Sequence, residues 1–267
     1  MEIIRERVGQ KPIKIAIFDF DGTISTLRAN WEGIMEPLML ELICPLGEGE
    51  SYPQELVQKV RDYIDESTGI QTAYQMEWLK NTVESYGKNH IKEDIWWYKD
   101  QYNVRLLNMV NERMAELDNG AKTQEDYRMQ GSLDFVKALH EKGVEVYIAS
   151  GTDHKDLVNE VEVLGLSPYV KAAKGAPERQ FACSKEEVLG NLLEQFPADE
   201  VVMLGDGKVE IMLGHKAGAL TVGTATNETD RKGVNEVKRE KLVKAGADVI
   251  VGDFLDKEGL LKLMKLA

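Results

Sequence analysis

The sequence predicts an α/β fold, a Rossmann-like three-layer core on a parallel sheet with an α-helical cap domain. First, residues 15–18 (IAIF) form a short apolar strand that ends at two acidic side chains. Second, strand-like and helix-like segments alternate from residue 132 onward, which is typical of βα units with right-handed crossovers. Third, a stretch of about a hundred residues between them repeats its apolar side chains at helical spacing.

These observations divide the chain into a core, residues 1–27 and 126–267, and a cap, residues 28–125. Because the insert follows the first strand, it should cover the carboxyl edge of the sheet, where ligands bind in open α/β sheets. The residues through Pro12 read as an extension that either adds a strand or stays mobile. Further elements are predicted in the core: helices over 133–142, 156–164 and 185–194, and strands over 144–149, 169–172, 201–204, 219–222 and 247–251.

The first strand delivers Asp19 and Asp21, followed by Gly22 and Thr23. Side chains at positions i and i+2 of a strand project from the same face. Two like charges side by side are costly unless a cation lies between them or one carboxylate is partly protonated. The pair therefore indicates a metal-assisted or acid–base task, although a calcium loop or an ordinary strand-to-turn junction shares this pattern.

Three helices are predicted in the insert, over residues 54–66, 70–86 and 96–114. The insert also holds all four tryptophans, and we expect most of its aromatic side chains in its own core. Arg28 and Trp31 follow the first strand closely enough to enter the cleft. Arg28 is either a substrate ligand, for a carboxylate or a sugar hydroxyl, or a solvated surface side chain.

The strand over 144–149 ends in Ser150 and Gly151. A hydroxyl beside an unhindered backbone N–H suits phosphate oxygens, although Ser-Gly after a strand is commonly turn chemistry alone. Asp153 and His154 follow, and they either touch a leaving group or only begin a helix, with Thr152 and Asp153 supplying its cap.

Ser184 and Glu187 form a capping-box pattern that predicts the start of a helix. Lys185 then lies in the first turn, where a cation opposes the helix dipole. A nearby anion would explain that unfavourable position, so we prefer Lys185 as the lysine of the site. Lys174, after the short strand over 169–172, is the competing candidate.

A third apolar strand, residues 201–204, leads through Gly205 to Asp206, with Glu210 four residues further on. In the first turn of a helix that starts near Lys208, Glu210 could turn back to orient Asp206 or a metal-bound water. Alternatively, it is an acid placed favourably against the helix dipole.

In this order, Asp19/Asp21, Ser150, Lys185 and Asp206/Glu210 resemble the four signature motifs of the haloacid dehalogenase superfamily. The resemblance is to its phosphatase branch with a helical cap after the first motif, as in phosphoglycolate phosphatases and β-phosphoglucomutases. It covers the first strand and the chain from about residue 130 to the C-terminus.

The resemblance implies an aspartyl-phosphate mechanism, with Asp19 as nucleophile and Asp21 as general acid and base. Lys185 would balance the charge of the phosphate. Magnesium is the implied cofactor, because a hard cation with oxygen ligands offsets the negative charge. The remaining implied roles are phosphate binding by Ser150, Gly151 and Thr23, and metal binding by Asp19, Asp206 and the backbone carbonyl of Asp21, with Glu210 an uncertain ligand where aspartate is more usual.

Composition fits this interpretation. With 267 residues and 43% hydrophobic content, the chain can bury an α/β core and a further module. A net charge of −13 argues against nucleic-acid and anionic-membrane partners, since both would be repelled. The two cysteines form no C-x-x-C pair, and the chain has neither an 18-residue apolar run nor a basic-then-apolar leader, so we expect a cytoplasmic protein. The pattern predicts no oligomeric state.

Three functions therefore compete. The first is a magnesium-dependent phosphatase acting on a small phosphorylated metabolite, either phosphoglycolate or a sugar phosphate. The second is a sugar phosphomutase of the same architecture, which keeps its aspartyl-phosphate long enough to rephosphorylate a bound intermediate. The third is a non-catalytic binding or regulatory protein that retains the fold, which the intact acid pair and Lys185 disfavour.

Overall fold

A computed structural model describes residues 1–7 and 11–267. Within these residues the strands form one seven-stranded sheet in the order β1-β7-β6-β5-β2-β3-β4. Every neighbouring pair is parallel except β1 with β7. The strands are β1 (Glu2–Ile3), β2 (Ile15–Phe18), β3 (Glu145–Asp153), β4 (Ala172–Ala176), β5 (Val201–Gly205), β6 (Leu220–Thr224) and β7 (Val249–Val251).

The described residues also form ten α-helices, four of them in the insert. These four are α1 (Glu32–Ile43), α2 (Gln54–Glu66), α3 (Thr72–Tyr86) and α4 (Ile95–Asp118). The core helices are α5 (Ser132–Glu141), α6 (His154–Val163), α7 (Ser184–Leu193), α8 (Lys208–Ala217), α9 (Glu236–Ala245) and α10 (Lys257–Leu263). The predicted α/β class and its helical cap are confirmed.

The alternation of side chains along β2 produces the three layers. Ala16 and Phe18 face a cluster that includes residues of α5, α6 and α10. Ile15 and Ile17 point to the opposite face, against α7 and α8. Because all four side chains are at most 1% exposed, the strand is buried on both faces, as expected for a parallel sheet covered by helices.

The helices α1 to α4 enclose their own apolar cluster, separate from the clusters of the sheet. Buried Met, Leu and Val side chains make up most of it, together with Tyr98 and Tyr102 from α4. Trp78 stacks on Tyr63 at a centroid distance of 3.9 Å. Most of the insert's aromatic side chains therefore pack within the cap, as the sequence predicts, while the domain boundaries at 28 and 125 stay a prediction.

Several local predictions are corrected by the structure. Its described residues form four helices in the insert rather than the three predicted, and α1 (Glu32–Ile43) is the one that was not predicted. Residues 167–169 form a 3-10 turn and the strand lies at Ala172–Ala176, so the prediction of a strand over 169–172 is wrong in its bounds. The N-terminal extension does add a strand, Glu2–Ile3, paired antiparallel with β7. Residues 8–10 of that extension lie outside the described part of the chain.

The strand order determines where a ligand site can form. Strand β2 lies between β3 and β5. After β2 the chain adds β3 and β4 on one side of it, and then β5, β6 and β7 on the other side. In such sheets the crevice opens at the carboxyl ends of the strands beside the switch in order. The ends of β2, β3 and β5 carry the predicted site residues Asp19, Ser150 and Asp206.

Candidate active site

Asp19 and Asp206 meet where β2 and β5 end. The backbone N–H of Asp19 donates to the carbonyl of Leu204 at 2.8 Å, which extends the pairing of the two strands to the site. Gly22, at φ +71°, turns the chain beside them, and a Cβ at this position would collide with the carboxylate of Asp206. Glycine is therefore required here for two reasons, the left-handed backbone and the close approach.

A group of carboxylates suited to a cation forms at this point. Oxygens of Asp19, Asp206 and Glu210 all lie within 4.8 Å of one another. Asp19 is 6% exposed and Glu210 is 1% exposed. Three hard oxygen donors crowded into a mostly dehydrated site match the preference of Mg²⁺, and the excess negative charge favours a divalent ion. The residues present therefore fit the cation that the sequence predicts.

Lys185 lies between two of these acids. Its Nζ is 3.1 Å from Asp19 and donates to Glu210 at 2.7 Å, and the side chain is 3% exposed. Burial alone would lower the pKa of Lys185, but the carboxylates of Asp19 and Glu210 raise it above its usual range. Lys185 is thus held as a cation. Lys174 pairs instead with Glu187 at an exposed position, so the structure brings Lys185, not Lys174, to the acids.

Burial raises the pKa of Asp19 well above its usual range, although Lys185 acts in the opposite direction and lowers it. Glu210, Asp206 and Asp21 raise it further by their negative charge. The carboxylate that must act as an ion in any nucleophilic role therefore depends on Lys185 and on an added cation for its ionisation.

Glu210 folds back beneath the site from the first turn of α8. One of its oxygens accepts the N–H of Gly207 at 2.5 Å, and the other accepts Lys185 Nζ. A Cβ on Gly205 would collide with this side chain, so the glycine leaves the space that Glu210 occupies. The predicted position of Glu210 in the first turn is confirmed, and both of its oxygens bind protein donors.

Asp21 is held from the end of β3. Its Oδ2 accepts the hydroxyl of Ser150 at 3.2 Å and that of Thr152 at 2.7 Å. The backbone N–H of Thr152 donates to Ser150 Oγ at 3.1 Å, which orients that hydroxyl. Asp21 Oδ1 is buried and has no hydrogen-bond partner. The hydroxyls expected to bind phosphate therefore also fix the second carboxylate.

Arg28 lies in the wall of the cleft and is only 7% exposed, so the alternative of a solvated surface arginine is wrong. Its Nε and Nη2 donate to Glu160 Oε1 at 3.0 and 2.6 Å, and Nη2 also approaches Asp156 at 3.4 Å. Nε lies 4.0 Å from Asp21 Oδ1. Burial would lower the pKa of Arg28, but Glu160 and Asp21 raise it above its usual range.

Three neighbouring predictions have different outcomes. Thr23 is fully buried, and its hydroxyl lies 3.1 Å from Thr224 Oγ1 rather than in the cleft lining. The capping box at Ser184 is wrong: α7 begins at Ser184 with Cys183 as its cap residue, and Ser184 Oγ is buried without a partner. Asp153 precedes α6 but makes no side-chain cap, because Lys99 and Asn103 bind its carboxylate instead.

The cap lies over the cleft and contacts the core. Lys99 of α4 is 6% exposed and pairs with Asp153 at the end of β3. Gln71, just before α3, donates to the carbonyl of Gln180 at 2.7 Å and accepts the N–H of Ala182 at 2.9 Å. These contacts join the cap to the loop that leads into Lys185.

A cleft lies between cap and core. Its empty space is about 720 Å³, which includes a part that is open to solvent. Predicted site residues on the core side and cap residues above them share this cavity. The core side contributes Asp19, Asp21, Ser150, Gly151, Thr152, Lys185 and Asp206, and Arg28 and Trp31 follow from the linking segment. The cap contributes Thr68, Gly69, Ile70, Thr72, Gln75, Tyr102 and Leu106.

Sequence reasoning missed Lys238, Glu228 and Glu160. Lys238 Nζ donates to Asp206 Oδ2 at 2.6 Å and to Glu228 Oε1 at 2.5 Å. Burial would lower the pKa of Lys238, but Asp206 and Glu228 raise it above its usual range. No local pattern marks these residues, because Glu160 lies 132 positions from Arg28 and Lys238 lies 32 positions from Asp206. The arrangement of an aspartate beside a lysine, with hydroxyls and a second acid nearby, suits transfer of a phosphoryl group.

The sequence model of the haloacid dehalogenase-like hydrolases matches residues 13–218. No significantly similar sequence is found among curated proteins. Among solved structures, a predicted phosphoglycolate phosphatase from Haemophilus somnus 129pt superposes with a TM-score of 0.63 at 14% identity, covering 94% of this chain and 99% of that one. A β-phosphoglucomutase from Clostridium difficile superposes with a TM-score of 0.61 at 16% identity, covering 95% and 97%.

Proposed function

The chain belongs to the haloacid dehalogenase-like hydrolases, and from that premise we propose that it is a magnesium-dependent phosphatase of small phosphorylated metabolites. One observation carries the proposal: Asp19, at the end of a buried strand, lies 3.1 Å from the Lys185 ammonium in the cleft between cap and core. The buried ammonium balances the charge of the carboxylate nucleophile before the reaction. In the transition state it also stabilises the negative charge on the phosphoryl oxygens.

Asp19, Asp206 and the backbone carbonyl of Asp21 would hold magnesium. The ion would offset the charge of the carboxylates and of the phosphoryl group. Glu210 supports the site differently, because both its oxygens accept protein N–H donors, from Gly207 and Lys185. We assign Glu210 to positioning Lys185.

The reaction proceeds in two displacements. A carboxylate oxygen of Asp19 forms a bond to phosphorus as the ester P–O bond breaks, and the departing oxygen takes a proton from Asp21. Asp21 then takes a proton from water, whose oxygen bonds to phosphorus and releases phosphate and free Asp19. Ser150 and Thr152 hold Asp21 through both steps, and Lys185 balances the charge that moves onto the phosphoryl oxygens.

Several observations support an enzyme over a non-catalytic fold relative. Burying the ammonium of Lys185 costs desolvation energy. An apolar side chain would fill the same space without that cost, so packing alone does not explain the lysine. The Asp21 Oδ1 atom stays buried without a hydrogen-bond partner. A buried polar atom without a hydrogen bond is rare in a fold held for packing alone, and a catalytic role for Asp21 accounts for it. A cytoplasmic location also stays a prediction. None of the helices in the described part of the chain combines the length and apolarity needed to cross a bilayer.

A phosphate-release assay tests the proposal. Purified protein is incubated with p-nitrophenyl phosphate and a panel of metabolite phosphates, in EDTA and in excess magnesium. We expect magnesium-dependent release of phosphate, and loss of turnover in Asp19→Asn. The matched control is Asp62→Asn, the same change at an exposed position on α2, which should keep wild-type turnover.

Two results would contradict the proposal. Retention of about a tenth of the wild-type rate by Asp19→Asn, with deamidation excluded by mass spectrometry, would remove Asp19 as nucleophile. Turnover that requires a sugar bisphosphate, with no net phosphate release, would establish the phosphomutase alternative instead.

A further inference from the structure

We propose that the cleft selects phosphate monoesters of hydroxylated alcohols and discriminates against leaving groups that carry a carboxylate. This inference rests on the proposed phosphatase function and names its substrate class. The charge state of the cleft wall and the chemistry of the cap side chains support it separately.

The cations of the cleft are already engaged. Of the described residues that line it, only Arg28 and Lys185 carry a positive charge. Lys185 is bound to Asp19 and Glu210. Arg28 is bound to Glu160 through both Nε and Nη2. Neither cation offers an unbalanced charge to a carboxylate of the substrate.

Displacing Glu160 from Arg28 would be costly. The Glu160 side chain is 1% exposed, and its Oε2 has no hydrogen-bond partner. A substrate carboxylate that took its place would leave Glu160 buried without its main ionic partner, which is the costly way to break a buried ion pair. The charge of Arg28 is therefore balanced by Glu160. Binding of a substrate carboxylate by Arg28, one of its predicted roles, is unfavourable in this geometry.

The net charge around the cleft is negative even when the ion pairs are counted. Four acids of the described chain line the cleft, Asp19, Asp21, Asp206 and Glu228, and Lys238 pairs with the last two. With Glu160 and Glu210 behind the lining, these acids outnumber the three cations that they contact, Lys185, Arg28 and Lys238. A magnesium ion and a phosphoryl group would bring charges that cancel each other, so the acids would still repel a second anionic group on the substrate.

The cap side of the cleft presents neutral groups. Hydroxyls and an amide come from Thr68, Thr72 and Gln75, and flat or aliphatic surface from Trp31, Ile70, Tyr102 and Leu106. Hydroxyls and amides both donate and accept hydrogen bonds, which matches the hydroxyls of a polyol or sugar. Apolar surface beside them suits the C–H face of such a molecule.

The test compares three phosphates of nearly equal size: 2-phosphoglycolate, 2-hydroxyethyl phosphate and 2-aminoethyl phosphate. Their leaving groups differ in charge, as an anion, a neutral alcohol and a cation. Burial raises the pKa of Glu160 to about 7, although Arg28 lowers it. The assays therefore run at pH 8, where Glu160 is mostly ionised. We expect kcat/KM for 2-hydroxyethyl phosphate to exceed that for 2-phosphoglycolate by about tenfold or more. The value for 2-aminoethyl phosphate, whose ammonium the acids do not repel, should also exceed that for 2-phosphoglycolate.

A second pair, glycerol 3-phosphate and 3-phosphoglycerate, repeats the comparison of alcohol with carboxylate on a longer leaving group. Equal or higher kcat/KM for either carboxylate than for the matched alcohol would overturn the inference. Turnover of p-nitrophenyl phosphate in the same experiment distinguishes this failure from failure of the phosphatase function, in which no substrate would be hydrolysed.

The variant Glu160→Gln tests the neutralised arginine directly. Without the Glu160 charge, Arg28 should accept a substrate carboxylate, so the ratio of kcat/KM for 2-phosphoglycolate to that for 2-hydroxyethyl phosphate should rise about tenfold. Glu162→Gln removes the same charge from an exposed position on α6 and should leave the ratio unchanged. An unchanged ratio in folded Glu160→Gln would overturn the role of Arg28, and the wild-type comparison decides the inference if that variant does not fold.

Discussion

Replacing Lys185 with methionine removes a cation that contacts both Asp19 and Glu210. Its Nζ lies 3.1 Å from Asp19 and 2.7 Å from Glu210, and all three side chains are buried. Breaking a buried ion pair by removing one partner costs about 3–5 kcal/mol, because the remaining charge stays in a poorly solvated site. We expect Lys185→Met to lose about that much unfolding free energy at pH 7 in EDTA.

Magnesium should return part of this loss, because a divalent ion bound by Asp19 and Asp206 would replace part of the missing positive charge. Turnover should nevertheless fall by roughly 10²–10³, the usual effect of losing one preorganised group that stabilises transition-state charge. The assay is urea unfolding followed by circular dichroism, with and without magnesium, together with steady-state hydrolysis of p-nitrophenyl phosphate.

Lys174→Met is the matched control. Lys174 pairs with Glu187 at an exposed position, and exposed ion pairs contribute about 0–1 kcal/mol. A loss below about 1 kcal/mol in Lys185→Met, equal to that of Lys174→Met and with unchanged turnover, would refute the claim that Lys185 balances the acids of the site.

Three further outcomes are expected. Asp21→Asn should slow alkyl phosphates far more than p-nitrophenyl phosphate, since only poor leaving groups need a proton as the bond breaks; equal losses would exclude Asp21 as the general acid. Asp206→Asn should raise the magnesium concentration for half-maximal activity, and an unchanged concentration would contradict this placement of the metal. Burial raises the pKa of Glu160 from 4.5 to about 7, with Arg28 opposing the rise, so its contribution to stability is present below pH 4.5 and is lost as pH rises to 7. Between pH 4.5 and 7 the unfolding free energy of the wild type should fall by about 3 kcal/mol relative to that of Glu160→Gln. The same dependence of unfolding free energy on pH in both proteins would contradict the raised pKa of Glu160.

Much of the fold could be predicted because its signals are local. The strand of residues 15–18 is apolar at each position, as strands buried on both faces are, and β2 has these bounds. The helix predicted over 54–66 has the bounds of α2. The acids and hydroxyls predicted for the site come together because the carboxyl ends of parallel strands meet at one edge of the sheet.

The site's supporting residues could not be predicted, because their partners lie far along the chain. Glu160 binds Arg28 across 132 positions, and Lys238 binds Asp206 across 32. Nothing in the sequence near either residue distinguishes it from a solvated helix side chain. The Ser184 cap failed for a local reason: Cys183 occupies the cap position, so the Ser184 hydroxyl has no turn to close.

If Asp19 is the nucleophile, it carries the phosphoryl group between the two displacements, and this aspartyl-phosphate can be trapped. The enzyme is mixed with a metabolite phosphate and magnesium, quenched in acid within one turnover, and reduced with borohydride, which converts an acyl phosphate of aspartate to homoserine. Peptide mass spectrometry then locates the reduced residue. We expect homoserine at position 19 in the wild type and none in a sample without substrate. Turnover with an unmodified Asp19, or homoserine at Asp21 or Asp206, would contradict it.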